Sequence, residues 1–270
     1  MSLQIIIGIV VVAVAAAIVF AFAQGGRGAR SDTSEPARTA QQAGDLGAEV
    51  GAVPASVFDT VGIGTAKVAP AKIDAPALTA DGKPQVLYIG GEFCPFCAAE
   101  RWPLAVALAR FGTFRDVGAM SSAPAPEVYP STATLTFHGA SFTSDVLAFD
   151  AKEIYDRDHK KLDTLTDAEQ KVFSTYDAPP YTQTEGSIPF VDFGGGRVVA
   201  GAQYTPDVLK GKTQAQIVAA LSQPSSAIAQ AVIGAANVLS AALCEQTAGQ
   251  PAAVCQSHGV QTAVAAMGGN

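Results

Sequence analysis

Cys94 and Cys97, separated by Pro95 and Phe96, are the residues whose types and spacing could do chemistry here. Thiols three positions apart on a helix share one face and can form or resolve a disulfide. The run Val86-Leu87-Tyr88-Ile89 before them reads as a buried strand, and Leu104 to Phe111 after them reads as helix. Proline is favoured at the first full helical position, which makes Cys94 the N-cap, Pro95 the first helical residue and Cys97 the third. A Cys94 thiolate there faces free backbone N–H groups and the positive end of the helix dipole, both of which lower its pKa. The chemistry expected is disulfide exchange: Cys94 attacks a substrate disulfide and Cys97 resolves the mixed disulfide. The bland alternatives are an inert structural pair and half of a zinc knuckle, and the latter lacks a matching close Cys or His pair.

Other candidates are fewer. Glu92 and Glu100 flank the dithiol and could transfer protons; read blandly, each is a solvated charge. Cys244 and Cys255 bracket a short loop with Gly249 and Pro251, either as a structural disulfide or as a second pair relaying electrons. Such a bond would stabilise by roughly 2–3 kcal/mol in the chain-entropy model. His138, His159 and His258 are scattered and read as surface or structural residues, and Asp156-Arg157-Asp158 reads as solvated charge. No metal and no cofactor is expected.

The elements that must hold the dithiol follow from pattern. Ala77 to Thr79, the turn Ala80 to Lys83 and Gln85 to Ile89 read as a strand, a turn and the central strand. Val117 to Met120 reads as a second core strand, and Thr132 to Phe137 as a weaker one. Thr166 to Glu169 is a capping box opening a helix to about Tyr176. Ile188 to Phe193, Gly194-Gly195-Gly196 and Arg197 to Ala200 make a hairpin signal. Thr213 to Leu221 and Ser225 to Leu243 read as helices, and Pro103 should kink the helix that follows the dithiol. Apolar residues at 49% suffice for a core across 270 residues, and a net charge of −7 without a basic stripe argues against nucleic acid.

Ile5 to Ala23 is uncharged and long enough for a transmembrane helix, so residues 1–24 read as an anchor, with a cleaved signal peptide as the rival. Residues 25–53 read as a flexible linker. Arg27 and Arg30 after the apolar run would by themselves orient the rest inward. The low charge of the remainder and the second cysteine pair favour the outside, and an extracytoplasmic domain is expected.

Gly91-Glu92-Phe93-Cys94-Pro95-Phe96-Cys97 followed by a helix, with Ser187-Ile188-Pro189-Phe190 leading into a Gly-turned hairpin, resembles the thioredoxin superfamily. The whole chain, including Gly234-Ala235-Ala236-Asn237 and the C-terminal cysteine pair, is similar to a membrane-anchored group known as domain of unknown function number 929. The resemblance implies an α/β, thioredoxin-like domain over residues 54–222, with residues 223–270 packed on it. It implies that Pro189 is a cis-proline beside the dithiol and that Ile188 offers its backbone to an extended substrate chain. Phe93, Pro95 and Phe96 complete the implied substrate contacts. Ninety-one residues lie between Cys97 and Pro189, so a helical insertion is expected at about 150–181. The strand Gln85 to Ile89 has no acidic residue where thioredoxins bury a proton-accepting Asp.

The expected function is that of a membrane-tethered, extracytoplasmic thiol–disulfide oxidoreductase. Its partners would be cysteine-containing exported proteins and a membrane redox partner that reoxidises or reduces the dithiol. The alternatives are a membrane-fed reductase and a non-catalytic binding module.

Overall fold

The computed structural model describes residues 45–67 and 69–268; the expected membrane segment and its linker as far as residue 44 lie outside them. In chain order the first elements are α1 (Leu46–Gly51), α2 (Ala55–Val61), β1 (Ala71–Lys72), β2 (Thr79–Ala80), β3 (Lys83–Gly90) and α3 (Pro95–Leu108). There follow β4 (Thr113–Arg115), β5 (Gly118–Ser121), β6 (Ala133–Thr136), β7 (Ser141–Thr143), β8 (Ala148–Glu153) and α4 (Asp167–Tyr176). The hairpin β9 (Phe190–Phe193) and β10 (Arg197–Ala200) leads through a 3-10 turn to α5 (Gln214–Leu221), α6 (Ala227–Gln246), α7 (Ala252–Cys255) and α8 (His258–Gly268).

Strand β3 is apolar on both faces from Val86 to Ile89, so it can sit only inside a sheet covered on both sides. Val86 and Tyr88 join the larger core, which holds α3 and α6, while Leu87 and Ile89 join the smaller one with Phe173 of α4. That split is the two-residue alternation of a strand. The result is a mixed α/β fold: β8 pairs with β3 in parallel, β9 pairs with it antiparallel, and β10 and β1 extend the sheet beyond β9.

Three expectations change. The segment at Val117 to Met120 is a strand but not one of the central sheet: as β5 it pairs with β6 in a separate two-stranded sheet, and the strand parallel to β3 is β8. Strand β8 holds Asp150, Lys152 and Glu153 in ion pairs: Lys152 pairs with Asp150, and Glu153 with Arg101. An insertion therefore does not begin at residue 150, because residues 150–153 belong to the central sheet. The linker does not run to residue 53 either: α1 opens on Asp45, whose side chain accepts the Gly47 N–H at 3.0 Å, and buries Leu46 and Val50 in the larger core.

Helix α6 is long and apolar enough to cross a membrane, but 89% of its apolar window is buried within the domain. It packs on α3, α2 and α8. Asn237 shows how closely: its amide donates to the Phe58 and Gly62 carbonyls at the end of α2, at 2.9 and 2.8 Å, and its oxygen accepts from Arg110. Cys244 and Cys255 are joined by a disulfide that ties the end of α6 to α7.

Helix α3 continues through Pro103. Proline lacks the N–H that would satisfy the Ala99 carbonyl, and the buried Tyr204 hydroxyl donates to that carbonyl at 2.7 Å instead. Tyr204→Phe should therefore cost about 1–3 kcal/mol, the penalty of a buried unsatisfied carbonyl. Urea unfolding of the two proteins measures it, and an unchanged midpoint would refute the assignment.

Candidate functional site

The β3–α3 turn presents the dithiol. Cys94 is the N-cap of α3, with extended backbone angles, and Pro95 is the first helical residue. The Cys97 N–H donates to Cys94 Sγ at 3.3 Å, so the thiol occupies the place where helix caps usually put an oxygen. Cys94 and Cys97 are free thiols. Cys94 retains 6% of its surface and Cys97 none, so of the two only Cys94 keeps any access to solvent.

Their acidities separate in the same direction. The hydrogen bond with the Cys97 side chain is the largest cause holding Cys94 below the ordinary thiol range; burial opposes it, and the Cys97 and Phe96 amides and the Arg101 charge assist it. Burial pushes Cys97 well up, and its hydrogen bond with Cys94 adds to the rise. A lowered outer thiol favours the reactive thiolate there, and a raised inner one stays protonated.

The hairpin loop supplies a second wall. Cys94 Sγ donates to the Ile188 carbonyl at 3.8 Å, across 94 positions of sequence. The Ile188–Pro189 peptide bond is cis, and Pro189 is buried. Around this point Phe96 is 40% exposed and meets Tyr129 edge-on at 5.8 Å. Phe93 lies between His159, at 4.1 Å between ring centroids, and Tyr155, at 6.1 Å. Glu92 is half-buried and accepts the Thr136 hydroxyl at 2.7 Å, which makes it a tether to β6.

Beneath the turn lie charges. Arg101 is fully buried and grips Glu153 with Nε at 2.7 Å and Nη2 at 2.6 Å. Nη2 also donates to the Gly91 carbonyl at 2.8 Å, and that carbonyl accepts the Cys94 N–H at 3.1 Å. Glu153 lies opposite Gly90 in the parallel β3–β8 register, which sets the carboxylate under the turn. Tyr88 is buried too, with its hydroxyl against Gly90, where a side chain would collide with it.

Glu100 is not a solvated charge. It is fully buried, its Oε2 accepts the Gln203 N–H at 3.2 Å, and burial, opposed by that hydrogen bond, raises its pKa to about 8. Two adjacent charges in an otherwise apolar helix were a usable signal, since α3 is buried all round and neither could reach water. No local pattern marked Glu153, Tyr88, Tyr155, Tyr129 or His159 as neighbours of the dithiol. Among the described residues no group of three or more His, Cys, Asp or Glu is arranged to hold a metal.

Residues 69–245 match the model of a family described as a domain of unknown function, DUF929. No curated protein and no solved structure matches the chain.

The Glu100 carboxyl titrates near 4.5 when exposed and about 8 when folded, so its contribution to stability is complete below pH 4.5 and is lost as pH rises through 8. Glu100→Gln should then stabilise the protein above pH 5, by at most about 5 kcal/mol at pH 9, the linkage ceiling for such a shift. Denaturant titrations across pH check this; a difference between the proteins that does not grow with pH would refute the buried neutral carboxyl.

Proposed function

The chain belongs to the DUF929 family, and we propose that it is a thiol–disulfide oxidoreductase on a thioredoxin-like fold, acting through Cys94 and Cys97. The observation that carries the reading is the position of Cys94 Sγ. It accepts an amide at the start of α3 at 3.3 Å and faces the Ile188 carbonyl at 3.8 Å. A strand, a Cys-x-x-Cys helix and a parallel return strand are the setting of a redox dithiol, and β3, α3 and β8 supply it.

In this reading Cys94 attacks one sulfur of a substrate disulfide, the other substrate sulfur leaves as a thiolate, and a mixed disulfide remains. Cys97 then gives up its proton and attacks Cys94 Sγ, so that the Cys94–Cys97 bond forms and the second substrate sulfur leaves. Ile188 and Pro189 form the wall against which an extended substrate chain lies, with Phe93, Pro95 and Phe96 around Cys94. The burial of Cys97 protects the resolving thiol from solvent until the mixed disulfide forms.

The apolar run Ile5 to Ala23 supports a membrane tether, and the Cys244–Cys255 disulfide supports an oxidising compartment outside the cytoplasm. The substrates are then cysteine-containing exported proteins, with a membrane redox partner restoring the dithiol.

Trapping tests the reading. A Cys97→Ser chain should accumulate reductant-sensitive adducts with other proteins in cells, and Cys94→Ser should accumulate none. Equal silence of the two would refute the catalytic role and favour a binding module.

A further inference from the structure

We propose that Arg101 tunes the dithiol toward accepting electrons: its guanidinium, sealed under the β3–α3 turn and sharing the Gly91 carbonyl with the Cys94 amide, favours the Cys94 thiolate. This rests on the redox reading above and assigns it a direction, that of an oxidant of substrate dithiols.

The geometry is local and specific. Arg101 stands four residues after Cys97 on α3, hence on the same helical face. One of its nitrogens reaches the carbonyl that also receives the Cys94 N–H. Glu153 occupies Nε and shares Nη2, while Nη1 makes no hydrogen bond among the described residues. The cation is thus bonded to the turn itself, and its counter-ion is held from the neighbouring strand β8.

The groups facing the dithiol are Tyr88 from β3, Glu153 from β8 and Arg101 from its own helix. Arg101 lowers Cys94 and Cys97 alike, whereas Glu153 is among the causes that raise Cys97. Burial works against the charge of Arg101, but Glu153 and Tyr88 hold its pKa well above the ordinary value, so the cation persists at every working pH. The helix amides act on any N-capping thiol; Arg101 is this chain's addition to them.

The consequence is thermodynamic. A substrate dithiol passes two electrons to the Cys94–Cys97 disulfide, whose S–S bond breaks as the substrate's forms. One proton goes to Cys97, the other to solvent, and Cys94 is left as the thiolate. Stabilising that thiolate favours the reduced protein, and so favours oxidation of the substrate.

Arg101 is a positioning residue, and its test needs readouts that a purely structural role would not move. These are the Cys94 thiolate titration, followed by absorbance and alkylation rate, and the equilibrium with glutathione buffers. Paired Arg101→Met and Glu153→Leu changes remove the ion pair with little change of volume, a type of replacement buried pairs tolerate. That protein should show Cys94 at least tenfold less ionised near neutral pH and a glutathione equilibrium shifted about tenfold toward the disulfide. Glu153→Gln, which leaves the cation, should move both readouts the other way. Shifts in the same direction, or none in either protein, would overturn the proposal while leaving the dithiol redox-active. Should neither variant fold, the unsubstituted protein still tests the proposal: an alkylation midpoint at or above the ordinary thiol value of about 8.5 overturns it, because the helix amides and the Cys97 hydrogen bond already pull Cys94 down without Arg101. Absence of any reversible exchange with glutathione would instead remove the oxidoreductase reading itself.

Discussion

The contact on which the site depends is the buried pair of Arg101 and Glu153. It joins the dithiol helix to the strand parallel to β3, and through Nη2 it reaches the carbonyl of Gly91 in the turn. Breaking such a pair by removing one partner costs about 3–5 kcal/mol, because a charge is left without compensation in the interior. Its burial therefore requires that β8 be parallel to β3 and in register, with Glu153 opposite Gly90. Turn, helix and sheet are consequently held at one point, beneath the turn that carries Cys94.

The rest of the fold supplies the low-dielectric surroundings in which that pair and the dithiol differ from the same groups in water. Helix α6 packs along α3, and Trp102 and Thr134 stitch the other side of α3 to β6 through the Ala133 and Ala98 carbonyls. Pro103 would leave one carbonyl bare in this setting, and Tyr204 fills the gap from 105 positions beyond Ala99. The division of labour between the two sulfurs has the same origin. Burial raises Cys97, while the amides at the start of α3 are available only to Cys94.

Much of this was legible locally. Pro95 after Cys94 placed the helix start, because proline tolerates only the first turn, and the Thr166 and Thr213 capping boxes stand at the heads of α4 and α5. The hairpin of β9 and β10 followed from its glycines; Gly195 adopts φ +80° close against the Pro76 carbonyl, a place with no room for a side chain. The spacing and the capped helix put an insertion from about Asp150, yet Asp150 to Glu153 belong to the central sheet, and Glu100 reads as a solvated charge, yet it is enclosed. A charge reads as exposed in sequence whenever its partner, or its enclosure, comes from elsewhere in the chain.

The sequence by itself determined which thiol caps the helix and where that helix starts. The order Cys-Pro-x-Cys after an apolar strand dictates which thiol caps the helix, through interactions that span three residues. Only the tertiary structure decided what surrounds the dithiol: Glu153 comes from 52 positions beyond Arg101, and the Ile188 carbonyl from 94 beyond Cys94. Sheet register and helix packing, rather than any local pattern, bring such groups together. The electrostatics that tell Cys94 from Cys97 are then set in an interior shielded from water, which no run of neighbouring residues can describe.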